Sequence, residues 1–119
     1  NVMYGRENLL GPVSQAAGVP TGAAIQRGSN ANGEFVRFAD GTQICTCSMA
    51  ASAGAAVTWT FPAAFAAAPV VTGNAQATVL AAVCLDAAPT TTTASLSVRD
   101  KTDARRADTM HLTAVGRWF

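Results

Sequence analysis

At 119 residues the chain is long enough for one hydrophobic core and too short for two self-sufficient ones. Half of its residues are apolar, but 26 of those are alanine, which buries little area per side chain, so the core is thin. Eight basic against seven acidic residues leave a formal charge of +1, no field to attract nucleic acid or anionic lipid. No apolar run is expected to insert in a membrane, since the longest, Phe61 to Val71, is interrupted by Pro62 and Pro69.

Residues 1–27 hold Gly5, Gly11, Pro12, Gly18, Pro20 and Gly22 around short apolar islands at Leu9-Leu10 and Ala23-Ala24-Ile25. That punctuation predicts an extended N-terminal arm with one short strand over Gly22 to Arg27. Leu9, Leu10 and Val13 on such an arm suit a surface laid against a neighbouring subunit. No secretory signal pattern is present, and a start at Asn1 rather than Met is expected of a processed chain or of part of a longer one.

From Gly28 onward the pattern changes. Glu34 to Phe38 and Thr42 to Cys47 alternate in side-chain character on either side of Ala39-Asp40-Gly41, a β-hairpin signature, and Asn30-Ala31-Asn32-Gly33 marks the turn leading in. Ser48 to Gly54 reads as a small-residue connector. In the strand Ala56 to Phe61, the apolar Val57, Trp59 and Phe61 alternate with Thr58 and Thr60, which favours a buried Trp59. Pro62 to Pro69 is too short for a stable helix and reads as a compact turn with Phe65 plugging the end of the core. Further strands are predicted at Pro69 to Gln76, Thr78 to Leu85, Thr91 to Arg99 and Thr109 to Trp118, the last with Met110, Leu112 and Ala114 on one face. Turns are assigned to Gly73-Asn74, Asp86 to Pro89 and Asp100 to Asp108. Six to seven short strands at this spacing predict an all-β antiparallel sandwich over 28–119.

Several residue groups carry possible chemistry. Cys45, Cys47 and Cys84 are odd in number, and Cys45 and Cys47 share a strand face, so free thiols are expected, although either could reach Cys84 across a sheet. The single histidine, His111, could serve a nucleophile or join the cysteines at a metal, but neither spacing matches a ligand or triad motif, and no metal or other cofactor is assigned. Glu34 and the aspartates fall mostly in predicted turns, where Asp bonds its own backbone, so no catalytic pair is assigned and the chain is not read as an enzyme. Arg99 to Asp108 gathers seven charged side chains in a weakly charged protein. It reads either as a solubilising loop or as a contact surface in which Arg99, Lys101, Asp103, Arg105 and Arg106 grip an acidic or hydroxyl-rich glycan. Trp118 is a candidate sugar platform beside them.

Three separated blocks resemble a known family. Gly28 to Cys45, then Thr58 to Phe65 with Pro69 to Thr72, then Ala114 to Phe119 follow, in that order, the pattern of the small C-terminal domain of bacteriophage tail fibres; the middle block is shared with the H-type lectins. The resemblance implies a homotrimeric, lectin-like sandwich at the periphery of a virion, assembled in the host cytoplasm. It would be joined to other virion tail proteins by the arm and would recognise a host cell-surface glycan. Tail-fibre domains can hold metal ions on the trimer axis, but no residue here matches such a motif, and the sugar-contact positions of H-type lectins are not recognisable. The alternative is a structural head-fibre, decoration or trimerisation module that binds no sugar. A capsule-depolymerase module is a third, more distant reading.

Overall fold

The structure, a computed structural model, describes residues 3–119 and is all-β, with no helix among the described residues. The strands in chain order are β1 (Gln15–Ala16), β2 (Val19–Pro20), β3 (Ile25–Asn30), β4 (Gly33–Phe38), β5 (Thr42–Ala50), β6 (Val57–Thr60), β7 (Val70–Gln76), β8 (Ala81–Leu85), β9 (Thr93–Asp100), β10 (Arg105–Arg106) and β11 (Thr109–Arg117). They form a five-stranded antiparallel sheet in the order β3-β4-β5-β11-β7 and a second antiparallel sheet centred on β9. In the second sheet β8 lies along one side of β9 and β6 and β10 share the other.

The two sheets meet across one apolar core. Period-two alternation decides which side chains enter it. Phe35, Cys45, Leu112, Ala114 and Met110 point inward from the five-stranded sheet, and Trp59, Ala94, Leu96 and Val98 point inward from the other. Met110, Leu112 and Ala114 are at most 2% exposed, so the face expected of β11 is the face observed. Trp59 is buried as expected, with its indole N–H donating to the Asn32 carbonyl at 2.9 Å. Phe61 meets Trp59 edge-on at 5.0 Å and Phe65 at 5.2 Å, which closes the end of the core with the turn of 62–69.

The Asp40-Gly41 hairpin forms where it was placed. The Gly41 N–H donates to the Phe38 carbonyl, the Thr42 N–H donates to Asp40 Oδ1, and Gly41 takes φ +102, a conformation that favours glycine. Gln43, fully buried, donates to the Ala63 and Ala64 carbonyls at 3.0 and 3.2 Å and accepts from Arg37 Nε at 2.6 Å. It ties β5 to the turn of 62–69. The C-terminus latches onto the same corner: Trp118 donates from its backbone to Gly41 and from its indole to Phe38, and Arg117 donates to the Asp40 carbonyl. Phe65 lies over Gly116 with no room for a Cβ there, at 2.9 Å. The three blocks that carry the family resemblance are therefore in contact with one another.

Some expectations need correction. Ser48 to Ala50 is not connector but strand, because β5 pairs with β11 in unbroken register from Thr42↔Arg117 to Ala50↔Thr109. Gly73-Asn74 is not a turn but the middle of β7; a Cβ at Gly73 would come within 2.7 Å of Leu112 Cδ2, so the glycine lets Leu112 pack. The strand placed at Thr78 begins only at Ala81, leaving Val79 and Leu80 exposed in a loop.

The expected arm is organised. β1 and β2 form a hairpin, and backbone bonds from Ala23 to Pro12 and from Thr21 to Ser14 extend it into a narrow ribbon. β3, an edge strand of the larger sheet, starts at Ile25, so the boundary drawn between residues 27 and 28 falls inside it. The described residues extend 56 × 24 × 20 Å with a radius of gyration of 16.7 Å, above the roughly 13.5 Å of a compact domain of this length. Much of the ribbon's apolar surface, including Leu9, Leu10 and Val19, is therefore left exposed.

Candidate functional site

The sequence singles out the charged loop of Arg99 to Asp108. Asp86, at the end of β8, accepts from Ser97 Oγ at 2.6 Å and from Arg105 at 2.9 Å, and Arg99 reaches it at 3.5 Å. These bonds, the Ser97 hydroxyl first, hold the Asp86 carboxyl below the usual carboxylate range. Arg106 grips Asp108 at 2.6 Å, which raises its own pKa. Asp100 accepts from the Thr102 hydroxyl and from the Thr102 and Ala104 N–H groups, and is lowered by them in that order. Asp103 lies at φ +66 with a 3.4 Å contact to Arg99.

Of the predicted contact residues, Arg99, Arg105 and Arg106 are thus committed to carboxylates of the same chain. Lys101 and Asp103 remain at the exposed tip, and only Lys101 makes no ion pair among the described residues. Trp118 is elsewhere. The charged loop sits at the Thr109 end of β11 and Trp118 just beyond Arg117, so eight strand steps of about 3.3 Å put them roughly 26 Å apart. Trp118 is half-buried, packs edge-on against Phe119 at 4.5 Å and has the Arg37 guanidinium 6.0 Å from its ring. The predicted set is two places, not one.

The carboxylates weighed for catalysis are likewise occupied. Asp40 caps its own turn, which lowers its carboxyl, and Glu34 pairs with Arg27 at 3.2 Å. No disulfide forms among the three cysteines, and burial pushes the Cys45 and Cys47 thiols up. Cys45 points into the core and His111 out of the opposite face of the same sheet, so the imidazole and that thiol are not brought together. No group of three or more metal-ligating side chains occurs among the described residues.

A second place emerges on the outward face of the five-stranded sheet. Register aligns Glu34, Thr46, Thr113 and Thr72 in one rung across β4, β5, β11 and β7, and Ser48, His111 and Asn74 in the next. Together they line an open groove of about 510 Å³. Ser48 Oγ lies 3.0 Å from His111 Nδ1, and His111 Nε2 lies 3.2 Å from Gln76 Oε1. With Nε2–H donating to Gln76, Nδ1 accepts from the Ser48 hydroxyl. The order hydroxyl, imidazole, amide can orient a ligand. It lacks the carboxylate that stabilises an imidazolium.

On the other side of the Thr46 rung runs an apolar one: Val36, Ile44, Val115 and Val70, again across four strands. Val70 is 70% exposed and Val115 42%. None of the three rungs is singled out by the sequence. The alternation in each strand was visible, but only the order β4-β5-β11-β7 aligns the residues, and β7 and β11 are separated by more than 30 residues. No family model, curated protein or solved structure matches the chain.

Proposed function

We propose that this chain is a tail-fibre domain of a bacteriophage or phage-like particle: a trimeric β-sandwich at the virion periphery that holds a bacterial surface polysaccharide. The N-terminal ribbon is the arm through which it joins other virion tail proteins. The observation that carries the reading is the apolar rung Val36-Ile44-Val115-Val70 on an outward sheet face. Four aliphatic side chains in register across four strands form a surface suited to burial against another copy, in a chain whose alanine-rich core has little apolar area to spare. The exposed Leu9, Leu10 and Val19 support the arm as a second contact surface. The contacts among the three resemblance blocks support reading those blocks as one structural unit. Threefold repetition would turn shallow sugar contacts into useful avidity.

The structural-module reading is favoured by one specific observation, the internal pairing of Arg99, Arg105 and Arg106, which leaves the charged loop few groups for a ligand. The experiment is the native mass of the intact chain by light scattering, followed by binding to immobilised polysaccharides from candidate hosts. A trimer that binds supports the fibre-tip reading, and a trimer that binds none supports the structural module. A monomer at all concentrations overturns both.

A further inference from the structure

The outward face of the five-stranded sheet carries more hydrogen-bonding capacity than the fold uses. In the groove formed by its two polar rungs, the hydroxyls of Thr46, Thr72 and Thr113 and the amide of Asn74 make no side-chain hydrogen bond among the described residues. Neighbouring strands lie about 4.8 Å apart, so the rung from Glu34 to Thr72 spans roughly 14 Å. The second rung, two residues further along each strand, runs parallel to it about 6.7 Å away. Both are carried on strands held in antiparallel ladders, which fixes the spacing of the positions from which the polar groups project.

Threonine on an exposed strand face needs no special reason, since it has high strand propensity. Asn74 is different. Asparagine is depleted in strands, and it follows Gly73, another poor strand residue, in the middle of β7. Gly73 is accounted for by Leu112, which occupies the space of its missing side chain. Asn74 has no such packing reason. It faces outward opposite His111, and a local rule broken without a structural return points to a ligand.

Resting on the glycan-binding reading above, we propose that this groove is a subsite for a neutral saccharide. A sugar hydroxyl is donor and acceptor at once, and so are the threonine hydroxyls and, through its two ends, the Asn74 amide. Glu34, its side chain 62% exposed, pairs with Arg27 through one carboxylate oxygen at 3.2 Å and has the other to accept from adjacent hydroxyls, while no lysine or arginine lines the groove to hold an anionic sugar. The Ser48-His111-Gln76 chain fixes the orientation of the imidazole at the far rung. No tryptophan, tyrosine or phenylalanine lines the groove, so a single site binds weakly, about millimolar, and recognition of a surface depends on several copies acting together. The apolar rung next to it puts the groove beside the proposed subunit joint, with three grooves around a trimer.

The test is a titration of the isotopically labelled full chain with galactose, glucose, mannose, rhamnose, N-acetylglucosamine and lactose, following backbone amide resonances, with glucuronic acid as the charged comparison. Asn74→Val and Thr113→Val are the perturbing variants, both strand-compatible, with an unchanged urea midpoint as the check on folding; Lys101→Ala is the control in the charged loop. At least one neutral sugar is expected to shift amides clustered at Thr46, Ser48, Thr72, Asn74 and Thr113. Either valine variant should weaken it about tenfold, the cost of one lost hydrogen bond, and Lys101→Ala should not. Shifts confined to the Arg99 to Asp108 loop, or binding that both valine variants leave intact, overturn the groove while the receptor reading stands. A response to glucuronic acid alone overturns the neutral preference. No response to any sugar also overturns the groove, and binding of intact host polysaccharide then decides separately whether the receptor reading survives.

Discussion

Replacing Gln43 by leucine should destabilise the chain far more than its volume change suggests. Gln43 is fully buried, couples β5 to the turn of 62–69 through two hydrogen bonds and accepts a third from Arg37 of β4. Leucine would leave Arg37 Nε without its 2.6 Å acceptor, a hydrogen bond to a charged group that contributes about 1.5 to 3 kcal/mol. It would also leave the Ala63 carbonyl with only the Cys45 thiol, a weak donor at 3.8 Å, at a cost of about 1 kcal/mol, while Ala64 is exposed and its carbonyl can return to water at little cost. The sum is about 2.5 to 4 kcal/mol, against a total of about 6 to 18 kcal/mol for 119 residues. Urea unfolding followed by tryptophan fluorescence reads this directly. At a slope near 2 kcal/mol per M the midpoint falls by about 1.2 to 2 M with the slope unchanged. A fall of less than about 0.5 M would refute the claim that this buried amide holds the corner together.

Other outcomes follow from the same geometry. Gly73→Ala should destabilise by about 1 to 3 kcal/mol, because its Cβ would meet Leu112 Cδ2 at 2.7 Å and the His111 carbonyl at 2.9 Å; thermal unfolding measures it. Asp86 has its folded pKa depressed, so its contribution is present above the unfolded value near 3.9 and is lost as pH falls through the lower folded value. Wild type should therefore lose stability on acidification below about pH 4, and Asp86→Asn should lose stability at neutral pH and show a flatter acid limb. Cys45, fully buried with its thiol pushed up by burial, should resist alkylation in the folded state while Cys84 is modified, as peptide mass analysis would show.

What could be read from the sequence was local. Asp40-Gly41 announces its turn because the required positive φ is a property of those residues, and the inward face of β11 is written in the alternation of Met110, Leu112 and Ala114. Gly73-Asn74 misled for the complementary reason. A glycine kept for Leu112, nearly 40 residues on, looks locally like a turn. The charged loop was visible as composition, but its neutralisation depends on Asp86 reaching Arg99 and Arg105 from 13 and 19 residues away. Trp118 and the arginines were grouped as one site because both looked available for binding, and the length of β11 separates them. The three outward rungs exist only once β4, β5, β11 and β7 are placed side by side.

The central claim is that the apolar rung Val36-Ile44-Val115-Val70, on the outward face of the five-stranded sheet, is where this chain meets its copies. Light scattering of wild type beside Val115→Lys, over a range of concentrations, tests it most directly. Val115 is 42% exposed in the single chain, so lysine is tolerated by the fold and should leave the unfolding free energy within about 0.5 kcal/mol of that of a dissociated wild-type chain. The account predicts three times the 12.1 kDa chain mass for wild type and the single-chain mass for the variant. Equal masses for the two proteins, whether both trimers or both monomers, would contradict it.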